Sequence, residues 1–289
     1  MQPVSITSNI SVERVSVIAD GRKTTDLLAV EEPLEIRIGF PDGTHAAVSI
    51  TMRTPGDDAE LAAGFLFTEG ILSSADQIKV IKHCGLKTAK GVGTVARGAA
   101  RHSNTIRVDL NQGVEVDLDR LKRNFYTTSS CGVCGKSSIE ALRTGISAAI
   151  SDIVPQISPA IIHSLPERLQ ASQNVFEKTG GLHASALFDA NGEMIIIRED
   201  VGRHNALDKL IGAKFLAAEA PLAGKILLLS GRISFELVQK ALMAGIPIIA
   251  GIGAPSSLAV ELAKEYRMTL LGFVRGGRFN IYSGESVLP

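Results

Sequence analysis

Polar and apolar residues alternate along much of the first third of the chain, and that period of two predicts strands. Residues 11–18 alternate in this way. Residues 34–40 and 44–51 flank Pro41-Asp42-Gly43, a turn triplet that predicts a hairpin. Asp57-Asp58-Ala59-Glu60 then opens a helix, its acidic first turn suiting the helix dipole. The apolar positions Leu61, Gly64, Phe65 and Phe67 carry that helix to a stop at Gly70. Further strands are expected near residues 77–82 and 105–110.

The second half has a different pattern. Ser137-Ser138-Ile139-Glu140 is a capping-box sequence ahead of Leu142, Ile146 and Ile150, so a helix is expected to begin there. Residues 151–172 contain Pro155, Pro159 and Pro166 and are expected to wrap the surface. Residues 182–188 and 194–198 bracket Asn191-Gly192, a strong hairpin signal. Helices are expected over 204–218, 234–244 and 256–266, and strands over 225–229, 246–250 and 268–274. The short continuous apolar runs at Ile226-Leu227-Leu228-Leu229 and 246–250 suit strands covered on both faces. Helices between them imply right-handed crossovers and parallel pairing. The expected fold class is α/β, α+β overall. Residues 123–289 would form a cytidine-deaminase-like three-layer α/β/α domain, and residues 1–122 a smaller strand-rich α+β domain.

Composition narrows the function classes. With 289 residues, 45% of them hydrophobic, the chain can bury a large core. Thirty basic and thirty acidic residues cancel, so no global field attracts nucleic acid or a membrane surface. Trp is absent and aromatics make up 4%, which argues against a stacking platform for single strands. No long apolar span and no leader-like start is visible, so a cytoplasmic location is expected, without nucleic-acid or membrane partners. An odd count of three cysteines does not suggest a secreted disulfide framework.

Two of those cysteines form Cys131-Gly132-Val133-Cys134, inside a run of small residues. Such a pair can hold half of a zinc site, cycle between dithiol and disulfide, or carry sulfur on an activated thiolate. A zinc deaminase needs H-x-E upstream of P-C-x-x-C. None of the six histidines has Glu two residues on, and Ser130 precedes Cys131. A redox pair belongs at a helix start, whereas here the helix signal begins after the pair, at Ser137, and glycines bracket the motif. A loop of this kind suits a swinging carrier, with Lys136 and Arg143 available to favour thiolate. Buried structural thiols are the plainer alternative, against which the Ser, Gly and Lys neighbours argue. Cys84, at a strand end, reads as a half-buried small hydrophobe.

A second candidate site follows from the parallel strands, whose carboxyl ends commonly receive ligands. Three segments meet there: Ser230-Gly231-Arg232, Gly251 to Ser257, and Arg275-Gly276-Gly277-Arg278. Ser256 would open a helix, and the arginines can grip phosphate oxygens in pairs. The implied ligand is phosphate-bearing and nucleotide-like; the alternative is ordinary glycine turns with solvated arginines. In Glu199-Asp200-Val201-Gly202-Arg203-His204-Asn205, Asp200 or Asn205 would cap a helix, while His204 is a candidate acid/base group or ligand contact. His183 is either a substrate contact or a satisfied core histidine, and Glu69 reads as structural.

These residues together resemble the formate dehydrogenase accessory sulfurtransferases, from about Val12 to Tyr282. The likeness rests on Thr54-Pro55-Gly56-Asp57, Gly64 to Gly70, Ser130 to Gly135, Gly181-Leu182-His183, and Asp200 to Lys209. Ser230-Gly231-Arg232, Ala254 to Ala259, and Gly272 to Arg278 continue it in the same order. The resemblance implies a sulfurtransferase that takes sulfane sulfur from a cysteine desulfurase as a persulfide on Cys131, with Cys134 as its neighbour. The acceptor it implies is the molybdenum bis(molybdopterin guanine dinucleotide) cofactor, bound as substrate before insertion into apo-formate dehydrogenase, with GDP or GMP as partial mimics. Cofactor contacts are then expected from Phe273, Val274, Arg275, Gly276, Gly277 and Arg278, joined by Ser230, Gly231, Arg232, Ser256 and His204. A homodimer without a resident metal completes the expectation. A cofactor-binding chaperone without cysteine chemistry and a zinc-dependent hydrolase remain the alternatives.

Overall fold

The alternating N-terminal segments do become strands. Val12–Ala19 (β1) and Arg22–Ala29 (β2) pair as an antiparallel ribbon. Glu32–Gly39 (β3) and His45–Arg53 (β4) form the expected hairpin. The chain then enters helix Asp58–Thr68 (α1), followed by Ile78–His83 (β5) and Thr105–Leu110 (β6). These strands make a four-stranded sheet in the order β4-β3-β6-β5. Leu34, Ile36 and Ile38 of β3 and Ile106, Val108 and Leu110 of β6 line its covered face and join the core that contains α1. The computed structural model describes residues 12–19, 22–84, 104–116, 154–172 and 179–287. Cys131, Cys134 and the helix expected from Ser137 lie outside them.

Within residues 151–172, Pro159–Ser172 is a helix (α2) that the sequence reading did not include. Pro159 stands at the first helical position, where no N–H is needed. Ile162, Leu165 and Leu169 form one buried stripe that holds the helix despite Pro166 inside it. The prolines masked a helical period that those three residues carry.

The remaining strands are His183–Phe188 (β7), Met194–Asp200 (β8), Ile226–Leu229 (β9), Ile248–Gly251 (β10), Thr269–Arg275 (β11) and Arg278–Ser283 (β12). They form one sheet in the order β12-β11-β10-β9-β7-β8. Strands β9, β10 and β11 are parallel, as their apolar runs predict. Helices Arg203–Leu216 (α3), Phe235–Met243 (α4) and Ser257–Glu265 (α5) connect β8 to β9, β9 to β10 and β10 to β11. They share a core with α1 and the smaller sheet, whereas α2 covers the other face through Ile162, Leu165 and Leu169.

Two strands were not announced by the pattern. Among the described residues β2 pairs only with β1, in a largely exposed ribbon that shows no buried face to impose alternation. β12 is an edge strand reached through Gly276-Gly277, both with positive φ (58° and 70°), as the tight turns favoured in hairpins require. Arg275 to Arg278 is therefore a hairpin turn rather than an open loop.

The smaller sheet is fastened to the larger one through α1 and α3. Gly64 of α1 and Gly212 of α3 lie against each other's backbones, and a methyl group on either would overlap a carbonyl oxygen of the opposite helix. The buried cations at this seam are paired with carboxylates. Arg198, fully buried, donates from Nη2 to Glu60 at 2.9 Å. Lys240 donates to Asp208 at 2.9 Å and to Thr68 at 2.9 Å, and lies 3.4 Å from Glu69. Glu69 is thus structural, as its place at the end of α1 suggests.

Candidate functional site

The carboxyl ends of the parallel strands are stitched into a continuous rim. Ser230 N–H donates to the Ala184 carbonyl at 3.0 Å, and its Oγ accepts from Ala184 N–H at 2.9 Å. Gly253 N–H donates to the Gly231 carbonyl at 3.2 Å, and Phe273 N–H donates to the Gly253 carbonyl at 3.1 Å. His183, Gly231, Gly253 and Phe273 therefore stand side by side across β7, β9, β10 and β11. The glycines are needed for this spacing. A methyl group at Gly253 would come within 2.9 Å of the Gly231 backbone, and one at Gly231 within 3.2 Å of His183 Nδ1. Phe273 has φ 55°, the left-handed region that L side chains avoid, and it supplies the extra residue of a bulge between Gly272 and Arg275.

The amino end of α3 meets this rim beside His183. Its N-cap is Gly202, so no side chain closes the first turn, and Arg203 and His204 follow at once. Arg203 Nε is shielded from solvent and has no hydrogen-bond partner among the described residues. His204 Nε2 lies 3.3 Å from Ser234 Oγ and 3.9 Å from Glu236, both at the head of α4. Burial opposes charge on Glu236, yet the bonds from His204 and Ser234 bring its pKa down to about 2. His183 is held below the ordinary imidazole value, first by burial and then by the nearby Arg203, His204 and Arg232, against the pull of Asp200. The corner is electropositive, with an unsatisfied guanidinium nitrogen, and such a corner suits an anionic oxygen.

The predicted rim residues divide into three groups. Ser230, Gly231, Arg232 and His204 cluster at this corner. Ser256 caps α5 by accepting from Ala259 N–H at 3.2 Å, and Val274 points into the core. Phe273, Arg275 and Arg278 lie further along, where the Arg275 guanidinium sits 5.9 Å from the Phe273 ring centroid. Arg275 and Arg278 face each other across the Gly276-Gly277 turn and are exposed. Asp200 does not occupy the N-cap position itself; its Oδ1 accepts from Gly202 N–H at 2.8 Å. Sequence reasoning passed over Arg203, Ser234 and Glu236. The Ser-x-Glu spacing at the head of α4 marks the last two only once His204 is known to lie opposite. Among the described residues no group of His, Cys, Asp and Glu gathers as a metal site would require.

The sequence model of the FdhD/NarQ family matches residues 29–288. The chain belongs to this family. A family member from Streptomyces avermitilis, named sulfur carrier protein FdhD, is 51% identical over 276 residues, covering 94% of this chain and 93% of its own. The protein of that name from Mycobacterium tuberculosis is 46% identical over 263 residues, covering 89% and 90%. In fold, the chain is similar to a crystal structure assigned as a formate dehydrogenase accessory protein from Desulfotalea psychrophila. The TM-score is 0.66 at 24% identity, with 98% of this chain and 100% of that one covered.

Proposed function

We propose that this protein is a sulfur carrier serving formate dehydrogenase. It takes sulfane sulfur from a cysteine desulfurase onto Cys131 and delivers it to the molybdenum bis(molybdopterin guanine dinucleotide) cofactor held at the rim. The observation that carries the reading is identity of 51% along nearly the whole chain to a protein named as a sulfur carrier. The corner of Arg203, Arg232, His183 and His204 supports the second half, because guanine nucleotide phosphates need cationic donors.

The chemistry balances without an external oxidant. The Cys131 thiolate attacks the terminal sulfur of the desulfurase persulfide, and the donor cysteine leaves as a thiolate. Cys134 then attacks Cys131 Sγ and forms a disulfide, releasing the carried atom as sulfide towards the cofactor. A cellular dithiol reduces that disulfide for the next cycle.

Incubation with a cysteine desulfurase and free cysteine should add one sulfur atom, visible by intact-protein mass spectrometry, and Cys131→Ala should abolish the gain. Undiminished loading of Cys131→Ala would reject this carrier. A cofactor chaperone without cysteine chemistry instead predicts that Cys131→Ala still yields active formate dehydrogenase while Arg203→Ala and Arg232→Ala do not.

A further inference from the structure

Two sequence motifs nearly 150 positions apart meet at one buried carboxylate. Asp200 is fully buried and accepts two donors on each oxygen. Oδ1 takes Gly202 N–H at 2.8 Å and Asn205 Nδ2 at 3.1 Å, while Oδ2 takes Thr54 N–H at 3.1 Å and Lys209 Nζ at 2.7 Å. Thr54, equally buried, answers with its other polar atoms. Its Oγ1 accepts from Val201 N–H at 3.1 Å, and its carbonyl accepts from Lys209 Nζ at 2.8 Å. Asn205 adds a second tie to β4, donating to the Met52 carbonyl at 2.8 Å and accepting from Thr51 Oγ1 at 3.1 Å.

This arrangement holds the turn between β8 and α3 from outside. A helix start normally carries its own side-chain cap. Gly202 cannot provide one, and the backbone of 200–202 is fixed instead by the end of a strand in the other sheet. The next two residues are Arg203 and His204, which belong to the electropositive corner. Arg203 Nε has no partner among the described residues, so local side-chain bonding at that atom does not fix its direction. The backbone beneath it sets the point from which the side chain starts.

We propose that Thr54 and Asp200 are positioning residues: they lock the β8–α3 turn so that Arg203 and His204 meet a phosphate-bearing ligand at the rim. The inference rests on the rim reading given under Proposed function. It assigns to the smaller sheet a share in ligand binding, although Thr54 itself is buried. Thr54→Val separates this role from bulk stability. Valine keeps the shape, the N–H to Asp200 and the carbonyl to Lys209, and deletes only the acceptor for Val201 N–H. Thr54→Ser keeps that acceptor.

The test uses the full-length protein, with guanosine diphosphate as probe in isothermal titration calorimetry and imidazole titration of His183 followed by NMR. Thr54→Val should weaken guanosine diphosphate binding by about tenfold, the effect of one displaced or lost hydrogen bond to the anion. It should also move the His183 midpoint, and Thr54→Ser should restore both affinity and midpoint. Asp200→Asn should act in the same direction wherever it folds. Wild-type affinity together with an unmoved midpoint in Thr54→Val would overturn the proposal, even if that variant melts lower. A wild-type protein that fails to bind guanosine diphosphate would refute the rim reading instead, and the midpoint alone would then decide whether the turn is positioned by Thr54.

Discussion

His204 and Glu236 face each other from the heads of neighbouring helices, and their pairing has a consequence in acid. Glu236 has its pKa brought down from 4.5 to about 2, so it favours the folded state above its ordinary range. That contribution is complete above about pH 4.5 and disappears as the pH falls through about 2. Melting temperature recorded between these limits should therefore fall more steeply for the native protein than for Glu236→Gln. Parallel curves would show that the pair is unimportant to folding. The reason Glu236 was invisible in the sequence is instructive. Its partner is 32 residues away, and only the close spacing of the β8–α3 and β9–α4 turns brings the two helix heads together. His204, by contrast, stood out because polar residues crowd the approach to its helix. The left-handed backbone of Phe273 was likewise beyond prediction, since nothing in Gly272-Phe273-Val274 announces a bulge.

Among elements, the contact of α1 with α3 is the most exacting. Both helices are glycine-bearing at the crossing, and the apolar stripe of α1 gave the helix but not its neighbour. A Gly212→Ala substitution would drive a methyl group into the Glu60 carbonyl, and the two helices would have to separate. Overpacking of this kind is expected to cost about 3 kcal/mol, measurable by urea unfolding. Alanine is the better helix former, so a stabilised Gly212→Ala would show that the helices adjust freely. Periodicity served well where one face is buried, as in β3, β6 and the crossover helices. It served poorly in the exposed ribbon strand β2 and the edge strand β12, and where prolines drew attention from the stripe Ile162, Leu165 and Leu169. Hairpin signals at Pro41-Asp42-Gly43 and Asn191-Gly192 were reliable because short turns are determined locally.

Across the whole molecule, two sheets share one apolar interior rather than meeting at a wet boundary. A change of pattern marks a boundary near residue 122, and pattern cannot reveal that α1 lies against α3. Leu207, Leu210 and Ile211 of α3 share a fully buried core with Leu61, Ala62 and Leu66 of α1. Residues 123–289 produced alone should therefore lack fixed tertiary structure, with weak near-ultraviolet circular dichroism and dye-binding apolar surface. A sharply melting fragment would show that the larger sheet needs no cover. The charges at the seam carry a further consequence. Burial works against the ammonium of Lys240, yet Asp208 and Glu69 keep its pKa above the ordinary value. Sliding the sheets apart by a single layer would take Arg198 from Glu60 and Lys240 from Glu69, the ion pairs that cross the seam. A half-parted molecule is then costlier than either the intact one or the fully unravelled chain, so loosening at one end of the seam is transmitted to the other as a single cooperative event.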